Sequence, residues 1–280
     1  MKIETFTIVV PGIACNAKCP YCVAKMTPKL NAGMNLGRFP QPSWRNFDKA
    51  CRLAQINNVS TVLLTGKGEP TLEPIMVNCY MNVLQQYNFP FIELQTNGIL
   101  IAKNILPDAH LERWYNDGMT TIAISMIPER PWKDIQPVVD HLHKLKFSVR
   151  LNFIMYHGGV DSFEFISNIS ETAKRWGVEQ LTFNPVNAPS SNKESEEYKW
   201  VETHKLDSVD LETIRGKLYS NGRKLLELPH GAIVFDLDGQ NVCLSNCLTV
   251  DNKTDTLRNL IFFPDGHLRY NWEYPGAILL

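Results

Sequence analysis

Three cysteines near the start of the chain have the spacing of ligands for a soft metal. Residues 15–22 read CNAKCPYC, a CxxxCxxC arrangement of Cys15, Cys19 and Cys22 directly after a short apolar run. Their thiols can converge on one centre when the backbone wraps around it as a loop, and Pro20 disfavours a continued helix there. Soft thiolates select zinc, copper(I) or an iron–sulfur cluster.

The number of thiols separates two interpretations of this segment. A structural zinc site needs four closed ligands, and no fourth cysteine or histidine lies near in the sequence. A [4Fe–4S] cluster held by three cysteines leaves one iron open to a non-protein ligand. We therefore favour an open, reactive cluster; the alternative is a zinc loop completed by a distant residue, in a non-catalytic α/β binding protein.

The same segment resembles the signature of the radical S-adenosylmethionine (SAM) superfamily, including an aromatic residue, Tyr21, before the third cysteine. The resemblance, which extends over residues 5–186, implies a [4Fe–4S] cluster whose open iron is chelated by the amino and carboxylate groups of SAM. It also implies that reductive cleavage of SAM yields a 5′-deoxyadenosyl radical, which abstracts a hydrogen atom from a substrate. A further implied partner is an electron donor such as flavodoxin or ferredoxin.

A second segment of the family's pattern follows the second predicted strand. Residues 65–70 read TGKGEP and are similar to the family's Gly-Gly-Glu-Pro segment, where the strand end and its carboxylate bind the SAM amino group. The resemblance therefore assigns four residues to SAM binding: Gly66, Gly68, Glu69 and Pro70. Lys67 occupies one of the usual glycine positions. Glycines let a backbone approach a ligand closely, and a carboxylate accepts hydrogen bonds from an ammonium.

Polar residues near the ends of later strands extend the predicted SAM site. The resemblance points to six of them: Thr96, Asn97, Ser125, Arg150, Asn152 and Asn184. Arg150 and Asn152 are two positions apart, so they share one face of a strand. Each residue taken alone fits a strand cap or a turn. Their common position at the C-terminal strand ends, where parallel barrels place active sites, favours the functional interpretation.

The elements that would position these residues alternate between strands and helices. Strands are predicted at 5–10, 59–65, 91–96, 120–126, 148–153 and 180–183, and helices at 46–57, 75–87, 111–117, 135–145 and 163–176. Such alternation indicates βαβ crossovers and a parallel sheet. Because about six units are fewer than the eight of a closed barrel, we predict an α/β fold with a partial (β/α)6 barrel over residues 1–188. A doubly wound sheet is the alternative.

The remaining residues, 189–280, are predicted to form a C-terminal extension of one helix and two β-hairpins. Residues 189–198 are polar and indicate a linker or surface loop, and the helix is predicted over 209–226. Asp-Gly pairs at 238–239 and 265–266 are typical of hairpin turns. We expect the extension to pack on or cover the barrel mouth. Its last run, 262–280, is either a substrate lid or a hairpin on the barrel wall.

The four other cysteines divide into two pairs. Cys51 and Cys79 lie on apolar helical stripes, where a cysteine behaves as a small buried hydrophobe. Cys243 and Cys247 flank Leu-Ser-Asn after an Asp-Gly turn. Three roles stay open for this second pair: packing, a catalytic thiol that donates a hydrogen atom, or ligands of an auxiliary cluster. Two cysteines are fewer than a second cubane normally requires.

Composition narrows the class of protein and of partner. The chain has 280 residues, 44% hydrophobic and 20% charged, with a formal net charge of −1, as in ordinary globular proteins. No run approaches the roughly twenty apolar residues of a membrane span, so we expect a cytoplasmic protein with no membrane partner. The neutral charge argues against large nucleic acids. A small molecule, a nucleotide or a peptide remains as the expected substrate.

Overall fold

Six parallel strands form the centre of the chain. A computed structural model describes residues 2–27, 42–128, 132–189, 192–245, 256–274 and 276–280. The strands are β1 Lys2–Val10, β2 Thr61–Gly66, β3 Phe91–Thr96, β4 Thr121–Ser125, β5 Ser148–Met155 and β6 Gln180–Pro185. Each pairs in parallel with the next one in chain order. The predicted α/β fold with a parallel, partial barrel is confirmed.

Helices connect these strands and cover one face of the sheet. They are α1 Val23–Met26, α2 Trp44–Ile56, α3 Pro74–Leu84, α4 Ile99–Ala102, α5 Asp108–Asn116, α6 Gln136–Lys144 and α7 Phe163–Arg175. The amphipathic spacing of α2 explains its packing, since Phe47, Ala50 and Ala54 on one side are fully buried in the core. Ser43 caps this helix by accepting a hydrogen bond from the backbone N–H of Asn46 at 3.4 Å.

The C-terminal part of the chain lengthens the sheet at both of its edges. It contains α8 Glu196–His204, α9 Ser208–Asn221, β7 Arg223–Glu227, β8 Ile233–Leu237, β9 Gln240–Leu244, β10 Thr256–Phe262 and β11 Leu268–Arg269. The order of the 11 strands is β11-β10-β1-β2-β3-β4-β5-β6-β9-β8-β7. Both predicted hairpins are present, with Gly239 and Gly266 at positive φ in their turns. They flank the barrel strands as edge hairpins of the sheet.

Two predictions for the C-terminal elements were wrong in part. The helix predicted over 209–226 ends at Asn221, and its last residues form β7, which pairs with the edge of β8. The chain changes direction at Gly222, where a side chain would be crowded. A Cβ there would lie 3.0 Å from the Leu218 carbonyl oxygen and 3.2 Å from that of Asp236, so glycine suits this position. The segment predicted as a loop over 189–198 includes the start of α8.

The open sheet is strongly curved. The turn between β7 and β8, at one edge, reaches β1 near the other edge, where His230 Nδ1 lies 2.9 Å from Glu4 Oε2. This contact links strands that are seven positions apart in the sheet order, counted from β1 to β8. Within the described residues, no helix combines the length and apolar character of a membrane span.

The two faces of the sheet differ in polarity. Along β5 burial alternates strictly, with Val149, Leu151 and Phe153 packed into the core beneath the helices. The intervening residues Arg150 and Asn152 face the concave side of the sheet. The concave face therefore carries the polar side chains that could contact a ligand.

Candidate cofactor site

The cysteine loop, residues 11–22, connects β1 to α1 and lies against the end of β2. The backbone N–H of Glu69 donates to the carbonyl oxygen of Ala14 at 2.9 Å. A Cβ on Gly68 would lie 2.1 Å from that same oxygen, so a side chain at this position would force the loop away. The Gly-Glu pair of the TGKGEP segment thus holds the loop that carries the three thiols.

Glu69 is buried, and protein groups already occupy much of its carboxylate. Its Oε1 accepts hydrogen bonds from the Thr71 backbone N–H at 3.0 Å, the Thr71 hydroxyl at 2.7 Å and the Thr96 hydroxyl at 2.5 Å. Its Oε2 accepts one from the Asn97 backbone N–H at 2.8 Å. Glu69 therefore joins the ends of β2 and β3, and Oε2 retains capacity for a further donor.

The end of β3 supports the cysteine loop from a second side. Asn97 Nδ2 donates to Asn16 Oδ1 at 2.7 Å and to Cys15 Sγ at 3.8 Å. Its Oδ1 accepts from the Ile99 backbone N–H at 3.0 Å, which fixes the amide orientation. Gly98 turns the chain into α4 with φ at 66°, a conformation that suits glycine.

The donor set of the loop fits an iron–sulfur cluster. Cys15 is exposed and Cys19 and Cys22 are partly exposed, so none of the three cysteines is enclosed in the core. Cys15 Sγ accepts hydrogen bonds from Asn97 Nδ2 and, at 3.5 Å, from the Ala17 backbone N–H, as cluster thiolates do. No three His, Cys, Asp or Glu side chains of the described residues form a ready-made metal site. Binding would therefore require the loop to draw its thiols together.

Tyr21 anchors the other end of the loop. Its side chain is 8% exposed, and its hydroxyl donates to the Met126 carbonyl oxygen at 3.4 Å. The ring lies 5.7 Å from that of Tyr156 and 5.6 Å from that of Trp200, between centroids. Trp200 belongs to α8, so the C-terminal extension packs directly against the cysteine loop. Burial raises the pKa of Tyr156, and the neighbouring Cys19 raises it further.

Two lysines lie near the thiols. Lys25 pairs with Glu197 at 2.8 Å, and this bond, followed by the charges of Cys22 and Cys19, raises its pKa despite some desolvation. Burial lowers the pKa of Lys67 to about 8, against the attraction of Cys22. Nearby cations favour the thiolate form of a cysteine, which is the form that binds metal.

The polar residues predicted on later strands form a row on the concave face. Ser125 at the end of β4 is in register with Asn152, and Asn152 with Thr182 and then Cys243. Asn152 Oδ1 and Thr182 Oγ1 are buried and have no hydrogen-bond partner within the described residues. Asn184 lies two positions beyond Thr182 on β6, on the same face.

Arg150 lies apart from the cysteine loop. Its Nη2 forms an ion pair with Glu93 of β3, and Gln95 Nε2 also donates to Glu93 Oε1 at 3.3 Å. The structure thus joins Gly68, Glu69, Thr96 and Asn97 to the thiol loop and pairs Arg150 elsewhere. Pro70 is buried and begins a 3₁₀ turn, and Gly66 ends β2. Cys247 lies outside the described residues.

Sequence reasoning missed several residues that build this site. Thr71 donates hydrogen bonds to Glu69, and Asn16 accepts one from Asn97. Short polar residues in or beside a motif give little signal in a single sequence. Glu93 offered a clearer signal, since a carboxylate inside the apolar run FIELQT needs a partner. Trp200 was missed because its segment follows a polar stretch that was predicted as a linker.

Three solved structures show which fold this is. Streptococcus suis SuiB is 13% identical with a TM-score of 0.62, covering 96% of this chain and 60% of its own. SuiB bound to S-adenosylmethionine gives 12% identity, the same TM-score of 0.62, and 99% and 60% coverage. Methylornithine synthase (PylB) is 11% identical with a TM-score of 0.50, covering 91% of this chain and 74% of its own.

The fold is shared with these proteins. The chain spans 60% of the length of the SuiB chains that it resembles. No protein-family model and no curated protein sequence matches it. At identities this low the similarity establishes the fold alone, so the function has to be argued from the site.

Proposed function

We propose that the protein is a radical SAM enzyme. In such enzymes a [4Fe–4S] cluster and bound SAM together supply a 5′-deoxyadenosyl radical that abstracts a hydrogen atom from a substrate. Cys15, Cys19 and Cys22 would hold the cluster. A fold shared with a protein solved with S-adenosylmethionine bound supports the proposal.

The observation that carries the proposal is the junction of three motif segments. Hydrogen bonds join the CxxxCxxC loop, Glu69 in the segment after β2, and Asn97 directly after β3. They lie at the C-terminal ends of parallel strands, where barrels of this kind place their active sites. If the CxxxCxxC spacing had arisen by chance, there would be no reason for its loop to contact the other two segments of the same family pattern.

The chain's own residues have distinct tasks in this proposal. The thiolates bind iron, while Glu69 and Asn97 hold the loop in place. The free capacity of Glu69 Oε2 would accept a bond from the SAM ammonium, which is a charge-assisted interaction. Ser125, Asn152 and Asn184 on the concave face would contact the rest of SAM. The apolar strand faces and the helices exclude water beneath the site.

Anaerobic reconstitution with iron and sulfide tests the proposal. The wild-type protein should bind about four iron and four sulfide per chain, and in the presence of SAM and a reductant it should release 5′-deoxyadenosine, detected by mass spectrometry. Cys19→Ala should lose both properties. Cys79→Ala, which changes a cysteine on α3 outside the loop, is the matched control and should keep them.

The same experiment addresses the alternative of a zinc-stabilised binding protein. A preparation that retains zinc, takes up no iron and makes no 5′-deoxyadenosine would favour a structural site. Cys19→Ala that keeps its full iron content and still cleaves SAM would exclude this loop as the cluster site. The substrate class stays a small molecule, a nucleotide or a peptide, and a low-potential electron donor such as flavodoxin or ferredoxin is required.

A further inference from the structure

Lys67 carries a positive charge into a partly buried position beside the cysteine loop. Its Nζ donates a hydrogen bond to the hydroxyl of Thr27, which is 4% exposed. It also lies 5.8 Å from the ring centroid of Trp272, over the ring face. A hydroxyl and an indole ring hold the ammonium in place, and neither neutralises its charge.

No carboxylate in the described parts of the chain forms an ion pair with Lys67. Arg269 lies near enough to repel it and has its own partner, Asp265, at 2.7 Å. The Thr27 hydroxyl that accepts from Lys67 donates in turn to the carbonyl oxygen of Val23 at 3.0 Å, in the residue next to Cys22, so the Cys22 thiolate is the neighbouring group that can attract Lys67. A buried charge is costly unless it is paired, so the compensating negative charge has to come from the cysteine side.

We propose that Lys67 is the counter-charge of the cluster held by Cys22 and that it raises the cluster's reduction potential. This inference rests on the proposed function. Three thiolates give a [4Fe–4S]²⁺ centre a net negative charge, and reduction adds one electron without forming or breaking a bond. A nearby cation stabilises the more negative, reduced state. Net charge and hydrogen bonding around a cluster set its potential.

Lys25 provides a matched control in the same neighbourhood. The backbone N–H of Lys25 donates to the Cys22 carbonyl oxygen at 3.1 Å, so this lysine also lies beside the cysteine loop. Its side chain, however, is 54% exposed and forms a 2.8 Å ion pair with Glu197. Water and the carboxylate already screen its charge, so it should influence the cluster much less than Lys67 does.

Redox titration followed by electron paramagnetic resonance measures the effect without any turnover. The cluster potential is compared, in the absence of SAM, for wild type, Lys67→Gln, Lys67→Arg and Lys25→Gln, with iron and sulfide counted in each. Lys67→Gln should make reduction at least about tenfold less favourable, which is about 59 mV for a one-electron couple. Lys67→Arg, which keeps the charge, should restore most of the wild-type potential, and Lys25→Gln should shift it less.

The outcomes distinguish this inference from the proposed function. Wild type that assembles no cluster would overturn both. An assembled cluster whose potential is equal in wild type and Lys67→Gln would overturn the inference alone, as would an equal shift in Lys67→Gln and Lys67→Arg. If Lys67→Gln loses iron while Lys67→Arg retains it, the charge is needed for assembly, which supports the inference; loss in both variants overturns it.

Discussion

Asn97 Nδ2 lies 2.7 Å from Asn16 Oδ1, which ties the end of β3 to the first turn of the cysteine loop. The same nitrogen lies 3.8 Å from Cys15 Sγ. One side chain therefore contacts both the Asn16 side chain and the Cys15 thiol of the loop. Asn97 itself is 6% exposed and is oriented by the Ile99 backbone N–H, so its position is set by the strand end.

Asn97→Ala should loosen this attachment and weaken iron retention. Each hydrogen bond contributes about 0.5–1.5 kcal/mol, so the variant should fold while losing iron to a chelator faster than wild type. Asn78→Ala is the control, because Asn78 Oδ1 accepts from Trp114 Nε1 at 2.6 Å on the helical side. The control should lose stability and keep the wild-type rate of iron loss. Equal rates in Asn97→Ala and wild type would contradict the assigned role.

Glu69→Gln should lower the free energy of unfolding even in the metal-free protein. Four donors converge on the buried carboxylate, and an amide nitrogen in place of one oxygen cannot accept from them. Hydrogen bonds to a charged group are worth about 1.5–3 kcal/mol, so a loss of about 2 kcal/mol is expected. Urea denaturation measures this value, and calorimetry should also show weaker SAM binding in the reconstituted protein.

Glu73→Gln is the control for Glu69→Gln, since Glu73 is exposed at the start of α3 and its side chain does not cap that helix. Its unfolding free energy should stay within about 0.5 kcal/mol of wild type. A Glu69 variant as stable as the Glu73 variant would show that the carboxylate does not brace the two strand ends.

The barrel core was predictable because each of its elements has a strong local pattern. The boundaries of β3 were predicted to the residue over Phe91–Thr96, where apolar residues are bounded by a turn. In the C-terminal part, helical spacing continues through Leu225 although the chain leaves the helix at Gly222. The residues after Gly222 form a strand because they pair with the free edge of β8, and the local sequence gives no signal of that pairing.

The site was predictable to the same extent as its motifs. The three cysteines, Glu69 and Asn97 belong to segments whose spacing carries information, and the structure hydrogen-bonds these segments to one another. The resemblance implies that Arg150 contacts SAM; the structure pairs it with Glu93, which lies 57 positions earlier and which the local sequence does not indicate as its partner. The role of Lys67 depends on Thr27 and Trp272, which only the folded chain places beside it.

His230 should make stability depend on pH. Burial, and then repulsion from Arg258, lower its pKa from the usual 6.5, against the opposing influence of Glu4. His230 is therefore neutral at pH 7 and can donate from Nδ1 to Glu4. The unfolded chain takes up a proton on this histidine at about pH 6.5, and the folded chain does so at a lower pH. The contribution of His230 to the free energy of unfolding is therefore fully present above about pH 6.5. It is lost as the pH falls through the folded value.

Urea denaturation between pH 7.5 and about pH 5 measures the contribution of His230. His230→Gln removes this one imidazole, so the unfolding free energy of the variant should fall less steeply with acid than that of wild type. At pH 7.5 the variant should be the less stable protein, because the contact between the β7–β8 turn and β1 is altered. Parallel pH profiles for the two proteins would exclude His230 as a source of the acid sensitivity.

Cys243 should act through packing. Its side chain is 8% exposed and belongs to an apolar cluster with Ala232 and Val234. Cys243→Ser should therefore lose about 1–3 kcal/mol of unfolding free energy, since a hydroxyl is costly in an apolar site, and Cys243→Ala is the apolar control. Production of 5′-deoxyadenosine per folded molecule should match wild type in both. A serine variant that cleaves SAM at the normal rate but fails to complete the substrate reaction would identify Cys243 as a hydrogen-atom donor.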